Sequence, residues 1–233
     1  MKIVDVAQGS VEWLEARAGI PTASEFDALI TPKGEPRRGE GVKSYLALKL
    51  AERWCGPILG GGNSFATEQG KILEGECFPW LEFEFEWKLS RVGFITTDDG
   101  RVGCSPDGLI DPDGGCEIKA PEAKTHIKYL LDGKVPAEYI AQIQGSLFVT
   151  QRSFWRFISY RRHFPPVMIN VYPDPAFQEG LAETLSIFLD TLDRSYAYLV
   201  EKNGGPPPRR VKMAFADDIA AGRAEEHYEG IIP

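Results

Sequence analysis

The chain has 233 residues, 43% of them hydrophobic, and a formal net charge of −8 at pH 7. These values predict one domain with a substantial core, and they disfavour a protein that coats nucleic acid through bulk positive charge. The sequence has no apolar run of about eighteen residues and no signal-peptide pattern, so a cytoplasmic protein without a membrane span is expected. The four cysteines form no C-x-x-C pair, which disfavours a zinc or iron–sulfur site.

Two short helices are predicted near the start of the chain. The stretch "GSVEWLEARAG" has a good N-terminal cap in Ser10 and a stop signal in Gly19. The stretch "TASEFDALI" follows, with Thr22 or Ser24 as the predicted cap. Both segments are short, so their packing must come from the rest of the fold.

A polar segment, "TPKGEPRRGEG", comes next and is rich in proline, glycine and cations. Its charged residues Lys33, Arg37 and Arg38 are expected to be solvated. The segment is interpreted either as a flexible loop or as an arm that faces DNA, and the sequence does not favour one over the other.

The middle of the chain changes from helices to strands. "GVKSYLALKLAERWCG" is predicted as a helix, "GGGNSF" as a break, and "TEQGKILEGECFPWLEFEFEW" as a helix whose end is obscured by Pro79. Short strands are predicted from residue 88 to residue 119.

The second half continues with helices at "EAKTHIKYLLDG" and "PAEYIAQIQGSLFVTQ", then strands at "SFWRFISYR" and "PVMINVYP". A long amphipathic helix occupies residues 175–202. This order predicts an α/β fold with a mixed central sheet flanked by helices. Residues 1–204 are predicted to form a single domain and residues 205–233 a C-terminal tail.

The hairpin "CSPDGLIDPDGGCEIKAP" places Asp107, Glu117 and Lys119 close together. Glu117 and Lys119 share one face of a strand, because side chains alternate and Ile118 points the other way. The return of the chain would bring Asp107 beside Glu117. Two neighbouring acids repel unless a cation lies between them, and a hard divalent ion such as Mg²⁺ is the natural partner. With a lysine beside it, such a site suits phosphodiester hydrolysis.

A simpler interpretation is an exposed hairpin with solvated charges, because "PDG" alone is a common turn and "E-x-K" a common pair. The two patterns together, ten residues apart, favour the nuclease hypothesis.

Four segments in this order resemble the lambda-exonuclease type of the PD-(D/E)XK nucleases, the YqaJ-like viral recombinases. They are "GSVEWLEARAGIPTASEF", "EQGKILEGE", "SPDGLI…CEIKAP" and "YIAQIQGSLFVT". The resemblance implies a restriction-endonuclease-like core, with Asp107, Glu117 and Glu74 as ligands of Mg²⁺. It also implies two ions, with Mn²⁺ as a substitute.

Further roles are implied by the same resemblance. Lys119 would activate the attacking water, and Gln142 would position water or phosphate. Arg17 and Ser24 would bind a terminal 5′-phosphate. Weaker DNA contacts are assigned to Trp13, beside that pocket, and, from the cationic composition of the polar segment rather than from the resemblance, to Lys33, Arg37 and Arg38. Each residue also has an ordinary alternative: Arg17 in a surface salt bridge, Ser24 as a helix cap, Trp13 in the core, Gln142 on a polar helix face.

The resemblance implies a phage-type exonuclease that degrades one strand of duplex DNA from its 5′ end to mononucleotides and leaves a 3′ single-stranded overhang. It further implies a ring-shaped homotrimer around DNA and a single-strand annealing protein as recombination partner. A structure-specific or site-specific endonuclease of the same fold, and a non-catalytic DNA-binding module, remain as alternatives.

Overall fold

The computed structural model describes residues 1–58 and 65–206, and within the latter range it defines side chains from residue 73 onward. Most of the predicted break at residues 60–65 and of the predicted tail at residues 205–233 lies outside the described residues. The division of the chain at residue 204 therefore stays a prediction. In the part of the chain that is described, no helix is long and apolar enough to cross a membrane.

Two β-sheets organise the chain. The larger is formed by strands β2 (Leu89–Ser90), β5 (Gly108–Ile110), β6 (Gly114–Lys119), β7 (Phe154–Ser159) and β8 (Val167–Val171), adjacent in that order. β6 and β7 run parallel and the other pairs antiparallel, so the sheet is mixed. The predicted α/β class with a mixed central sheet is confirmed.

The smaller sheet is antiparallel and consists of β1 (Lys2–Val4), β3 (Phe94–Thr96) and β4 (Gly103–Cys104), in the order β1-β3-β4. Strand β1 was not predicted. It is a three-residue edge strand with mostly exposed side chains, so it carries almost no alternation for a sequence pattern to detect.

The helices are α1 (Val11–Arg17), α2 (Glu40–Cys55), α3 (Phe65–Phe85), α4 (Ala123–Asp132), α5 (Ala137–Thr150) and α6 (Pro175–Lys202). Ser10 caps α1 as predicted, because its hydroxyl accepts the Trp13 amide at 3.2 Å. The structure adds detail to two predictions. The second short helix is a 3₁₀ helix over Ala23–Ala28, and α3 continues through Pro79 to Phe85.

Helices cover both faces of the larger sheet. On one face Cys77, Phe78 and Leu81 of α3 share a buried cluster with Ile118 of β6. On the other face α5 and α6 belong to the main core, which also contains Phe157 of β7. Ile118 therefore fixes β6 against α3, and its neighbours Glu117 and Lys119 point towards α5, as the alternation predicted.

The 3₁₀ helix packs closely against α5. A Cβ on Gly145 of α5 would lie 2.4 Å from Cδ2 of Phe26, so only glycine permits this approach. Phe26 is fully buried, and truncation of such a side chain costs about 3–5 kcal/mol of stability. α5 therefore joins the 3₁₀ helix to the central sheet as one packed unit.

Candidate active site

The β5–β6 hairpin aligns the two acids that the sequence singled out. Gly108 pairs with Cys116, so continuation of the register places Asp107 opposite Glu117. Oδ2 of Asp107 accepts the Ile118 amide at 2.6 Å, which fixes the carboxylate against β6. The hairpin thus brings Asp107 and Glu117 together as the sequence predicted.

Lys119 and Gln142 both bind the Glu117 carboxylate. Lys119 Nζ lies 2.5 Å from Glu117 Oε1, and Gln142 Nε2 donates to the same oxygen at 2.6 Å. The lysine nitrogen also lies 5.4 Å from the centre of the Tyr139 ring, one helical turn before Gln142 on α5. Asp107, Glu117, Lys119 and Gln142 are called the acid site below.

Burial makes the acid site electrostatically strained. Burial, and then the charge of Asp107, raises the pKa of Glu117 to about 8, although Lys119 acts in the opposite direction. Burial also raises the pKa of Asp107, against Lys119 and the Ile118 amide. Burial lowers the pKa of Lys119, but the two acids outweigh it and hold the lysine protonated. A cation bound between the two acids would stabilise their ionised forms and so lower both pKa values.

One oxygen of Glu117 is open to such a cation. Glu117 is 2% exposed, and its Oε2 is a buried atom without a hydrogen-bond partner in the described part of the chain. An unsatisfied buried carboxylate oxygen is costly unless a proton or cation meets it. Mg²⁺ uses one or two carboxylates and takes its other ligands from water and phosphate. Asp107 and Glu117 therefore fit a divalent ion.

Glu74 lies near the acid site on α3. Its charge adds to the raised pKa of Glu117, after burial and Asp107. Over residues 1–58 and 65–206, however, no three His, Cys, Asp or Glu side chains form a group that could hold a metal. Glu74 is thus within electrostatic reach, and its metal-binding role stays a prediction.

Arg17 forms a second polar centre at the end of α1. Its Nη1 donates to Ser105 Oγ at 2.9 Å, and its Nη2 donates to Thr22 Oγ1 at 3.2 Å and Ser24 Oγ at 3.3 Å. These three partners are neutral hydroxyls, so among the described contacts no carboxylate bonds directly to the guanidinium, although the charges of Glu25 and Glu52 act on it through space. Burial lowers the pKa of Arg17, yet an arginine stays protonated in proteins. A fork of donors among hydroxyls suits a phosphate.

Trp13 supports this arginine. Its ring centre lies 4.3 Å from Cζ of Arg17, and its Nε1 donates to Ser105 Oγ and to the Gly93 carbonyl, both at 2.9 Å. The contact is a cation–π interaction that holds the guanidinium in place. Trp13 therefore packs beside Arg17, while its predicted contact with DNA stays a prediction.

Two further pocket residues were missed by the sequence analysis. Thr22 was considered only as a helix cap, but its hydroxyl makes no cap bond and accepts from Arg17 instead. Ser105 was not singled out, although it lies two residues before Asp107 within "CSPDG". A polar residue beside a catalytic acid was the available signal. Trp13, Arg17, Thr22, Ser24 and Ser105 are called the Arg17 pocket below.

Ser105 joins the two centres. Consecutive Cα atoms are about 3.8 Å apart, so the Cα atoms of Ser105 and Asp107 are separated by about 7.6 Å at most. Because Ser105 bonds to both Arg17 and Trp13, the Arg17 pocket is tied directly to the acid site.

The two glutamines of "QIQ" have different positions. Gln142 faces the acid site, whereas Gln144 is 4% exposed and its amide binds the backbone of two other residues. Its Nε2 donates to the Tyr172 carbonyl at 2.9 Å, and its Oε1 accepts the Asp174 amide at 3.1 Å. Gln144 therefore fixes the start of α6 and has no place in the site.

The polar segment at residues 31–39 is exposed but has regular main-chain bonds. The Thr31 amide donates to the Glu35 carbonyl at 2.8 Å, and the Arg37 amide donates to the Leu29 carbonyl at 2.7 Å. A Cβ on Gly34 would lie 3.0 Å from Phe177 of α6, so the turn lies against that helix. Lys33, Arg37 and Arg38 are exposed, and their role as DNA contacts stays a prediction.

A known protein family matches the part of the chain that carries this geometry. Residues 12–153 match the family model described as the YqaJ-like viral recombinase domain. None of the curated proteins matches the chain. The matched span contains the acid site, the Arg17 pocket and Glu74.

Solved structures provide the second comparison. The chain is 28% identical to LHK-Exo in complex with dAMP, with 84% of this chain and 98% of that chain covered and a TM-score of 0.75. A second structure of this alkaline exonuclease, from Laribacter hongkongensis, gives 28% identity, the same coverage and a TM-score of 0.74. A phage-related exonuclease from Haemophilus somnus 129PT, 13% identical with 77% and 96% covered and a TM-score of 0.60, has the same fold.

Proposed function

The chain belongs to the YqaJ-like viral recombinase domain family, and from this premise we propose that it is a Mg²⁺-dependent exonuclease that degrades linear duplex DNA from its 5′ end. The family and the alkaline exonuclease neighbours support a nuclease. The observation that carries the finer proposal is the Ser105–Asp107 connection. It supports a cationic phosphate pocket beside a pair of acids suited to a metal, because Ser105 bonds to Arg17 and lies two residues before Asp107.

The acid site supplies the chemistry in this proposal. Asp107 and Glu117, with Glu74 behind them, would hold two Mg²⁺ ions, for which Mn²⁺ can substitute. When bound, such ions would activate a water for attack and would neutralise charge on the scissile phosphate. Lys119, held beside Glu117, donates to the attacking water and stabilises the negative charge that develops on phosphorus. Gln142 orients the same water or a phosphate oxygen without adding charge.

The Arg17 pocket supplies direction and register. A terminal 5′-phosphate bound by Arg17, Ser24 and the neighbouring hydroxyls places the next phosphodiester of that strand at the acid site. In this proposal the pocket and the acid site are close enough for one nucleotide to lie between them, so each cut would release one nucleotide. The complex of LHK-Exo with dAMP, a mononucleotide, supports mononucleotide products. Repeated cuts would leave the other strand as a 3′ single-stranded overhang, the substrate for recombination by strand annealing.

The assembly is part of the same proposal. A ring-shaped homotrimer around DNA would keep a protein of net charge −8 on a polyanion without a large basic surface. The overhang would pass to a single-strand annealing protein. Light scattering tests the trimer directly: a monomeric mass at micromolar concentration contradicts it.

Digestion of linear and covalently closed duplex DNA tests the reaction. With Mg²⁺, the protein should degrade the linear form and leave the closed circle intact. Rapid loss of the circle would support the endonuclease alternative instead. Lys119→Ala serves as the catalytic control, and equal activity of this variant and the wild type would contradict the assigned chemistry. No cutting of either form would support a DNA-binding module.

A further inference from the structure

Lys49 is a buried cation that lies behind the Arg17 pocket. Its side chain on α2 is 3% exposed, and its Nζ lies 2.9 Å from Glu25 Oε2 and 2.9 Å from Glu52 Oε2. A charged side chain buried this deeply requires ionic partners, since it loses its hydration. The two glutamates supply them, and both also contact the segment that carries Arg17.

Glu25 connects Lys49 to the pocket through one hydroxyl. Its Oε2 accepts from Thr22 Oγ1 at 2.9 Å, and Thr22 Oγ1 in turn accepts from Nη2 of Arg17. The Tyr45 hydroxyl donates to the same Glu25 oxygen at 3.1 Å. The carboxylate of Glu25 thus lies one hydroxyl away from the guanidinium that would bind phosphate.

Glu52 connects Lys49 to the other end of the segment. Its Oε2 accepts the Gly19 amide at 2.9 Å, two residues after Arg17. Gly19 has a left-handed backbone (φ +72°), and a Cβ there would lie 2.4 Å from Cγ of Arg53. The turn after α1 is therefore fixed against α2, and Lys49 is the common partner of both carboxylates.

Lys49 changes the balance of charges around Arg17. Without Lys49, two carboxylates would remain beside one arginine, and Glu25 would be free to pair with Arg17 in place of a phosphate. With Lys49, the Glu25 carboxylate bonds to the lysine ammonium and to the Thr22 and Tyr45 hydroxyls, so it acts on the guanidinium only through space. The direct partners of Arg17 are then hydroxyls, and exchange of these hydrogen bonds for bonds to an anion costs little free energy.

We propose that Lys49 is a positioning residue for terminal phosphate recognition, because it holds Glu25 and Glu52 away from Arg17 and keeps the Arg17 pocket cationic. The proposal rests on the assignment of that pocket to a 5′-phosphate. Lys49 touches neither the phosphate nor the metals, so its effect is confined to the choice between phosphorylated and unphosphorylated ends.

Binding without metal tests the proposal. Fluorescence anisotropy in EDTA gives the Kd of the wild type for one linear duplex with 5′-phosphate or 5′-hydroxyl ends. The wild type should bind the phosphorylated duplex about tenfold more tightly, as expected for one charge-assisted contact. Lys49→Met should bind both duplexes with the same Kd. Lys43→Met, the control on the same helix, removes an exposed lysine paired with Glu40 and should keep the full preference.

Removal of the competing carboxylate shows whether Lys49 acts through its charge or only through its packing. In the double variant Lys49→Met, Glu25→Gln, the carboxylate that lies one hydroxyl from Arg17 is removed and Glu52 stays bonded to the Gly19 amide, so the phosphate preference should return. A merely structural role predicts weaker binding to both ends and no recovery. If Lys49→Met does not fold, Lys49→Met with Glu52→Gln leaves only the partly exposed Glu25 unpaired and should lose the preference in the same way.

The possible results test the role of Lys49 separately from the proposed nuclease function. A full phosphate preference in a folded Lys49→Met variant overturns the role of Lys49 and leaves the nuclease proposal intact. A wild type that binds both ends alike overturns the pocket and Lys49 together. A wild type that binds phosphorylated ends but does not digest linear duplex with Mg²⁺ overturns the nuclease alone.

Discussion

The acid site and the Arg17 pocket are built in opposite ways. Three of the four acid-site residues come from one hairpin, where the buried Glu117 and the partly buried Asp107 lie beside a lysine. The Arg17 pocket is assembled from α1, the 3₁₀ helix and the end of β4, and it surrounds one cation with neutral hydroxyls. The first arrangement attracts cations and the second attracts an anion. Catalysis and end recognition should therefore be separable by mutation.

The substitution with the largest expected effect disrupts the acid site alone. Asp107→Asn removes a proposed metal ligand without changing its shape, so cleavage with Mg²⁺ should fall by about 10³-fold or more. Binding of phosphorylated duplex in EDTA should stay within about twofold, because Arg17 is untouched. Asp113→Asn, in the exposed turn of the same hairpin, is the matched control and should cut normally. Loss of folding in Asp107→Asn would mark Asp107 as structural.

The converse variant breaks the Arg17 pocket alone. Arg17→Ala should slow digestion of 5′-phosphorylated ends by about 10–100-fold, the value of one or two charge-assisted hydrogen bonds. Digestion of 5′-hydroxyl ends should change much less, because they offer no phosphate to bind. Initial rates on both substrates measure the ratio. Arg194→Ala on α6, which loses only a surface pair with Asp190, is the control. An equal loss on both ends would remove Arg17 from phosphate recognition.

The two glutamines of α5 allow a residue of the acid site to be compared with a structural residue on the same helix. Gln142→Ala should lower the rate constant about tenfold at unchanged melting temperature, since Gln142 binds only Glu117 among the described side-chain contacts. Gln144→Ala should lower the free energy of unfolding by about 1–3 kcal/mol, because it leaves buried backbone groups near α6 unpaired. Urea titration and single-turnover digestion of both variants check this. The reverse pattern would contradict the assignment.

The strained charges of the acid site predict an unusual pH dependence of stability without metal. The pKa of Glu117 is about 8 in the folded protein and ordinarily about 4.5, so the folded state keeps a proton that the unfolded state has lost. Stability should therefore fall by about 1–3 kcal/mol as pH rises from about 5 to about 8. Thermal melts in EDTA at both pH values measure the change, and Glu117→Gln should reduce it. Mg²⁺ should restore more stability at the higher pH, since its ligands must be ionised. A stability that rises over this range would contradict the prediction.

The smallest expected effect concerns the exposed segment at residues 31–39. If Arg38 contacts a phosphate, Arg38→Ala should weaken DNA binding at low salt by about two- to fivefold and reduce the salt slope by about one. Cleavage at saturating DNA and the preference for 5′-phosphate should both persist. An unchanged salt slope would leave Arg38 as a solvated surface residue.

Local patterns predicted the acid site well because its geometry is local. Alternation along β6 and a ten-residue hairpin suffice to place Asp107, Glu117 and Lys119 together. The helices α1, α2, α5 and α6 followed from caps and apolar periodicity in the same way.

Long-range geometry explains what the sequence did not predict. Ser105 bonds to residues about 90 positions away, and Lys49 pairs with Glu25, 24 positions away, so local spacing does not report these contacts. Of these pairs only Lys49–Glu52, three residues apart on α2, has a local spacing. Thr22 lies at the N-cap position of the 3₁₀ helix as predicted, yet its hydroxyl makes no cap bond and instead bonds to the side chains of Arg17 and Glu25. The resemblance to a family supplied Arg17, Ser24 and Glu74, which the residues alone did not justify.

End-labelled duplex digestion with Mg²⁺ tests the central claim most directly. A linear duplex labelled at the 5′ end of one strand, with either a phosphate or a hydroxyl at that end in matched preparations, is followed over time. Labelled mononucleotide should be released early, faster from the phosphorylated end, while the opposite strand persists as a 3′ overhang. Early release of labelled oligonucleotides, or loss of the 3′ end first, would contradict the claim.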